Sequence, residues 1–208
     1  MATHTIDMNT WPRAGLFKLF RGYDKPQYAL TSRIDVSHLL ARKADGISSY
    51  RACLWAIGVG IHAVPELCMR FRGDTVVHHD AISLSMTVPR PNGSFGYGCV
   101  PHHADFAAYD ADSAKRIAAV AAGENLGANN GEADDVAYAS CLPWLDYTAF
   151  NNALSGPDDC IPRVSWGKFV DHGTKTDMAM TLEVHHALVD GAHIGAYFAA
   201  VQTALDSI

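Results

Sequence analysis

Between Met178 and His186 the side chains alternate without a break. Met178, Met180, Leu182, Val184 and His186 fall on one side, Thr181, Glu183 and His185 on the other. A period of two is the signature of a β-strand. Directly after it, Ile194, Tyr197, Phe198, Val201, Leu205 and Ile208 form the one-sided stripe of an amphipathic helix that starts near Ala192. A strand and a helix that each carry one apolar face must stack as layers. The rest of the chain repeats both patterns. Tyr28, Leu30, Ser32, Ile34 and Val36 alternate, as do Ile82, Leu84, Met86 and Val88, so two further strands are predicted. A helix is predicted after Trp11, with Pro12 in its first turn, and a short one capped by Ser37 and stopping near Gly46. A longer one runs from Ser48 to before Pro65, with Tyr50, Leu54, Ile57, Ile61 and Val64 on one side. Pro89 to Gly98 reads as a turn-rich loop, and His103 to Ala122 as helical. Strands and helices mix without strict βαβ alternation. This predicts an α/β fold: a two-layer sandwich in which a mixed β-sheet is covered by helices. A chain of 208 residues, 49% of them apolar, suits one domain spanning 1–208.

Composition narrows the function. The net charge is −6 and no stripe of Lys and Arg exists, which speaks against nucleic acid as a partner. No apolar run reaches the length of a membrane span. Met1 to Thr10 lacks the basic and apolar regions of a signal peptide, so a cytoplasmic protein is expected. The five cysteines (Cys53, Cys68, Cys99, Cys141 and Cys160) are odd in number and contain no C-x-x-C pair. Free thiols are expected, without a disulfide framework or a metal site.

The stretch that carries chemistry is His185-His186-Ala187-Leu188-Val189-Asp190-Gly191. The strand register puts His186 on the apolar face and turns His185 the other way. An imidazole in apolar surroundings stays neutral, because burial disfavours its charged form. A neutral histidine at a strand end suits a general base. Zinc held by His185 and His186 is disfavoured, since neighbours on a strand point apart. Asp190 and Gly191 make the turn into the last helix, where glycine is expected to relieve backbone strain. Two other histidine pairs, His78-His79 and His102-His103, are read as surface residues.

The stretch HHALVDG resembles the HHxxxDG motif of CoA-dependent acyltransferases, and other segments point within that group to the chloramphenicol acetyltransferase family. Trp11-Pro12-Arg13-Ala14-Gly15-Leu16-Phe17 is similar to that family's W-x-R-x-x-x-F, and Pro65-Glu66-Leu67-Cys68-Met69-Arg70 to its P-E-F-R-M-R. Gly123-Glu124-Asn125-Leu126 matches G-E-N-L. Ser140-Cys141-Leu142-Pro143-Trp144 followed by Tyr147-Thr148-Ala149-Phe150 resembles S-x-x-P-W and F-x-x-F.

The resemblance implies acetyl-CoA as co-substrate, no metal, and direct transfer to the hydroxyl of a small acceptor, chloramphenicol first. It makes His186 the base and Ser140 the donor to the oxyanion. Arg13 and Asp190 become a structural ion pair, and Ser165, where the family has threonine, a support of the site. Trp144, Lys168 and Phe169 are assigned to the CoA channel, Phe20 and Phe95 to the acceptor pocket. The family's trimer, with active sites between subunits, implies a homotrimer here. The segment 87–101 departs from the family pattern. It keeps open a same-fold acetyltransferase for another hydroxylated or amino small molecule, and a binding protein without catalysis.

Overall fold

The computed structural model describes residues 2–124 and 133–208. Its centre is the alternating strand, β10 (Thr176–His185). Strand β2 (Gln27–Asp35) runs antiparallel along one side, from Asp35 opposite Asp177 to Gln27 opposite His185. Strand β8 (Arg163–Trp166) runs antiparallel along the other. The sheet continues through β7 (Val136–Cys141), parallel to β8, then β5 (Ser83–Pro89), parallel to β7, and β6 (Phe95–Val100), antiparallel to β5. The short β9 (Val170–Asp171) also pairs with β10. The sheet is therefore mixed, as the interrupted alternation of elements predicts. A small second sheet joins β1 (Thr3–Thr5), β4 (Thr75–His79) and β3 (Met69–Arg72) in the order β1-β4-β3.

One face of the large sheet carries α3 (Ser49–His62), α4 (Phe106–Ala121) and α5 (Gly191–Asp206). Leu84, Met86, Ala137, Ala139, Val164, Trp166, Met178, Met180, Leu182 and Val184 form one core with Leu54, Ile57, Ile61, Ile194, Tyr197 and Val201. The opposite face is rich in polar groups and is partly covered by the segment 142–162. Tyr147 donates its hydroxyl proton to the Ser165 carbonyl (2.7 Å). Asn152 donates both its backbone and side-chain N–H to Glu183 Oε2 (2.8 Å each). This second cover buries β10 on both sides, the Thr181-Glu183-His185 face included.

Several elements differ from expectation for identifiable reasons. Helix α1 (Ala14–Arg21) begins after Arg13, so Pro12 lies in the turn before it. Ser37 opens α2 (Ser37–Ala41) without capping it. Its N–H is taken by Asp35 Oδ1 (2.8 Å), while its hydroxyl accepts from Thr176 N (2.9 Å). Residues 89–98 are not a loop but the tip and return strand of the β5–β6 hairpin, with Phe95 opposite Pro89. Gly93 supplies the left-handed backbone of the tip (φ 80°), whereas Gly96 serves packing: a Cβ there would meet Val120 Cγ1 at 2.7 Å and Arg90 Nη2 at 2.6 Å. In each of the other histidine pairs one ring is drawn inward from the surface. His79 is buried and lies 3.1 Å from Asp134 Oδ1, and His102 stacks on His62 with ring centres 3.9 Å apart.

Helices α3 and α5 touch closely at Gly60. A Cβ there would lie 2.6 Å from Val201 Cγ2 and 2.8 Å from Tyr197 Cε2, both fully buried. Gly60→Ala is expected to destabilise the protein by about 1–3 kcal/mol through overpacking, despite alanine's higher helix propensity. Gly195→Ala on α5, where an added Cβ meets nothing within 4 Å, is expected to be stabilising by up to about 1 kcal/mol. Denaturant titration of both variants checks the contrast.

Candidate active site

As β10 ends, the chain folds back over one turn before α5 begins. His186 N–H donates to Pro26 O (2.9 Å), and Leu188 N and Val189 N both donate to His185 O (3.0 and 3.1 Å). Asp190 then caps α5: its carboxylate accepts from Ala192 N (3.1 Å) and from the backbone N–H of the third helical residue. Gly191 is the first helical residue. Its φ lies outside the left-handed region, so it relieves no strain there.

One guanidinium holds the whole turn. Arg13 donates Nε to Ala187 O (3.1 Å), Nη2 to His186 O (2.7 Å) and Nη1 to Asp190 Oδ2 (2.7 Å). The expected Arg13–Asp190 pair exists, with the arginine buried and the carboxylate about a third exposed. Burial pushes the Asp190 carboxyl up, but the Arg13 hydrogen bond and the neighbouring His193 outweigh it, and its pKa lies below the ordinary value.

The two adjacent histidines have opposite states. His185 is almost wholly buried. Its Nδ1 accepts from Ala187 N (3.1 Å), and its Nε2–H donates to Pro157 O (2.9 Å). Burial pushes its pKa down to about 4. The desolvation expected for His186 thus belongs to His185, because the segment 142–162 covers the face to which His185 points. His186 is half-buried, with its ring stacked on Phe20 (centres 3.9 Å apart, planes 13° apart) and near Tyr28 (4.7 Å). Its Nδ1 lies 3.1 Å from Val189 O. A carbonyl only accepts, so Nδ1 carries the proton; in the neutral ring the lone pair is then on Nε2, which has no hydrogen-bond partner among the described residues. Tyr28, whose hydroxyl donates to the same carbonyl (3.4 Å), is a site residue that the sequence reading missed. Its only signal there was an aromatic side chain at the start of the strand paired with β10.

Ser140 sits elsewhere. It lies on β7 in register with Ser165, which is in register with Thr181. Thr181 faces away from the helices, whereas Val184 and its partner Tyr28 share the helix-bearing face with the His186 ring. Ser140 and His186 therefore lie two strands apart on opposite faces, with His186 five residues beyond Thr181. At strand dimensions their Cα atoms are roughly 20 Å apart. Ser140 lines a groove of about 570 Å³ with Thr87, Tyr97, Tyr138, Asn152 and Arg163, and His186 does not reach it. Phe95, more than half exposed, stands edge-on to Tyr97 in this half, while Phe20 belongs to the half with His186.

Two of the remaining expected residues lie at a second cleft of about 370 Å³. Lys168 and Phe169 line it together with Tyr50, Cys141, Pro143 and Trp166. Trp144 does not line it and is 70% exposed. Ser165 is buried and its hydroxyl has no hydrogen-bond partner among the described residues. Gly167 is required where it stands, since a Cβ would meet Leu145 O at 2.6 Å. The cysteines are free thiols among the described residues. No group of three His, Cys, Asp or Glu side chains there is arranged to hold a metal, and no helix there is long and apolar enough to cross a membrane. Of the G-E-N-L segment, Asn125 and Leu126 lie outside the described residues.

Comparison with known proteins decides the family, because residues 1–202 match the family described as Chloramphenicol acetyltransferase. The chain belongs to that family. It is an acyltransferase with acetyl-CoA as co-substrate. It is 25% identical to chloramphenicol acetyltransferase 2 of Escherichia coli over 206 residues, covering 98% of this chain and 97% of the relative. Its identity to the chloramphenicol acetyltransferase of Streptomyces acrimycini is 26%, over 96% and 93% of the two chains. A solved chloramphenicol acetyltransferase superposes with a TM-score of 0.90 at 25% identity, covering 98% of this chain and all of the other.

The buried histidines give a pH signature. His185 and His102 are both held by burial to pKa values of about 4, below the 6.5 of a free side chain. Between those values the unfolded chain binds protons that the folded chain refuses, so stability falls as the pH falls. Melting temperature is expected to be level above pH 7 and to drop from about pH 6.5 towards 4. His185→Gln should flatten part of that drop. Calorimetry across the range measures it.

Proposed function

We propose that this chain is an O-acetyltransferase that transfers the acetyl group of acetyl-CoA directly to the hydroxyl of a small acceptor, with chloramphenicol as the first candidate. The observation that carries the reading is the state of His186. Its Nδ1–H is tied to Val189 O, its ring is braced by Phe20, and Nε2 has no hydrogen-bond partner among the described residues. In this reading His186 Nε2 takes the acceptor's hydroxyl proton and later returns it to the departing thiolate. The Ser140 hydroxyl donates to the oxygen on which negative charge develops, and the buried Ser165 hydroxyl supports that position through a water. Lys168 and Phe169 bind the CoA moiety in their cleft. Phe20 and Phe95 flank the acceptor from the two halves.

The wide separation of His186 from Ser140 supports a homo-oligomer, by family a homotrimer, in which one copy supplies His186 and its neighbour Ser140. The catalytic unit is one domain over 1–208, and the cytoplasm, where acetyl-CoA is available, is its compartment. The hydroxyl-lined groove at Ser140 favours, as a second reading, an acceptor richer in hydroxyl groups than chloramphenicol.

His186→Ala is expected to lower kcat by about 10³-fold and Ser140→Ala by about 10²-fold, with KM little changed. Thiol release from acetyl-CoA with chloramphenicol measures both. Refolding the two variants together tests the shared site, since random trimers would recover about a quarter of the functional sites if each site draws on two copies. If mixing recovers nothing while the trimers form, the composite site is wrong. If native protein releases no thiol with chloramphenicol but does so with another alcohol, the acceptor is wrong and the chemistry stands. Tight acetyl-CoA binding without turnover of any alcohol would instead make it a binding protein.

A further inference from the structure

The peptide unit that joins Val189 to Asp190 is held at both ends by imidazole rings. Its carbonyl accepts from His186 Nδ1 at 3.1 Å, and its N–H donates to His193 Nδ1 at 3.1 Å. An N–H only donates, so His193 Nδ1 bears no proton and its hydrogen sits on Nε2. That Nε2 faces Glu66 Oε1 at 3.6 Å. His193 is the third residue of α5, and Glu66 belongs to the 3-10 turn Pro65–Cys68, so two separate elements converge on this one peptide. The arrangement is a capping box in which histidine occupies the position usually held by Glu or Gln.

The chemistry of this arrangement is directional. A peptide whose N–H is engaged is polarised, and its carbonyl becomes a better acceptor. The same contact fixes the plane of the peptide, hence the direction in which Val189 O points. Were His193 protonated, Nδ1 could no longer accept from Asp190 N–H and would turn to Asp190 Oδ1, 3.2 Å away. Resting on the reading of His186 as base, we infer that His193 is a positioning residue. Through the 189–190 peptide it holds His186 in the Nδ1–H tautomer and leaves Nε2 free to take a proton. His193 touches no reacting atom in this scheme, and Glu66 keeps its hydrogen on Nε2.

The test combines kinetics with nitrogen NMR of the native oligomer carrying ¹⁵N-labelled histidine. Wild-type protein is expected to show His186 as Nδ1–H and His193 as Nε2–H. In His193→Ala, kcat should fall about tenfold with KM for both substrates within about twofold, as for a misaimed catalytic group. The His186 signals should shift towards the Nε2–H tautomer. His193→Gln should restore kcat to within about threefold, because its side-chain oxygen takes the Asp190 N–H as in an ordinary capping box. A wild-type spectrum with the proton on His193 Nδ1 overturns the inference. So does a folded alanine variant with unmoved His186 signals, or a folded glutamine variant as impaired as alanine. Signals that move while kcat does not would uphold the coupling and discard His186 as the base. Should the alanine variant not fold, the wild-type spectrum and the glutamine variant decide.

Discussion

The structure around the site depends on one buried guanidinium. Between β10 and α5 the chain reverses, and the carbonyls of His186 and Ala187 have no partner in either element. Arg13, from the start of α1, donates to both and to the Asp190 carboxylate. A charge taken from water at such a place is tolerated only when it is paired and hydrogen-bonded throughout, and three acceptors for one guanidinium meet that condition. Asp190 is equally committed, since one oxygen pairs with Arg13 and the other caps α5. Helix α1, strand β10 and helix α5 are thereby tied at one point. His186 emerges from that point with its backbone already fixed.

The same sheet explains why His186 and Ser140 are held apart. The helix-bearing face is apolar and complete, with α3 and α5 packed to backbone distance at Gly60. The other face carries Ser140, Ser165, Thr181 and Glu183, and it is covered in part by the segment 142–162 and by Phe71, which stands edge-on to His185. A chain folded this way presents His186 on one face and Ser140 on the other, the proposed base and oxyanion donor. Large apolar side chains left at the surface accompany both halves: Leu16 and Leu19 on α1 beside Phe20, Phe95 and Trp144 towards the other. Exposed apolar surface next to both half-sites is what an active site between copies would require.

How much of this was legible in the sequence follows from how local each cause is. The alternation of 178–186 and the stripe of α5 are local, and both elements stand where the pattern puts them. The ion pair of Arg13 and Asp190, far apart in sequence, was legible only through resemblance, and it is present. The strand β6 was hidden because Gly96 and Gly98 read as turn formers, whereas Val120 of α4 crowds Gly96 and Met86 of β5 crowds Gly98. Asp35 displaced Ser37 as the side chain serving the start of α2, a choice between two acceptors two residues apart that pattern alone does not settle. The burial of His102 and His79 came from neighbours distant in sequence, His62 and Asp134.

The contrast between His185 and His186 shows what the strand register leaves out. Alternation correctly turned the two rings to opposite faces. It did not reveal that the face with Thr181 and Glu183 would be covered by the segment 142–162, so burial was assigned to the wrong ring. A fully buried imidazole with both nitrogens engaged, as in His185, stays neutral but has no lone pair to offer. A base needs one nitrogen tied and the other open. His186 meets that need through a single backbone carbonyl and an aromatic brace, not through deep burial. Its half-buried position suits the proposed role: the ring is held from behind by Val189 and from the side by Phe20, while its outer nitrogen has no hydrogen-bond partner among the described residues and could meet a substrate proton.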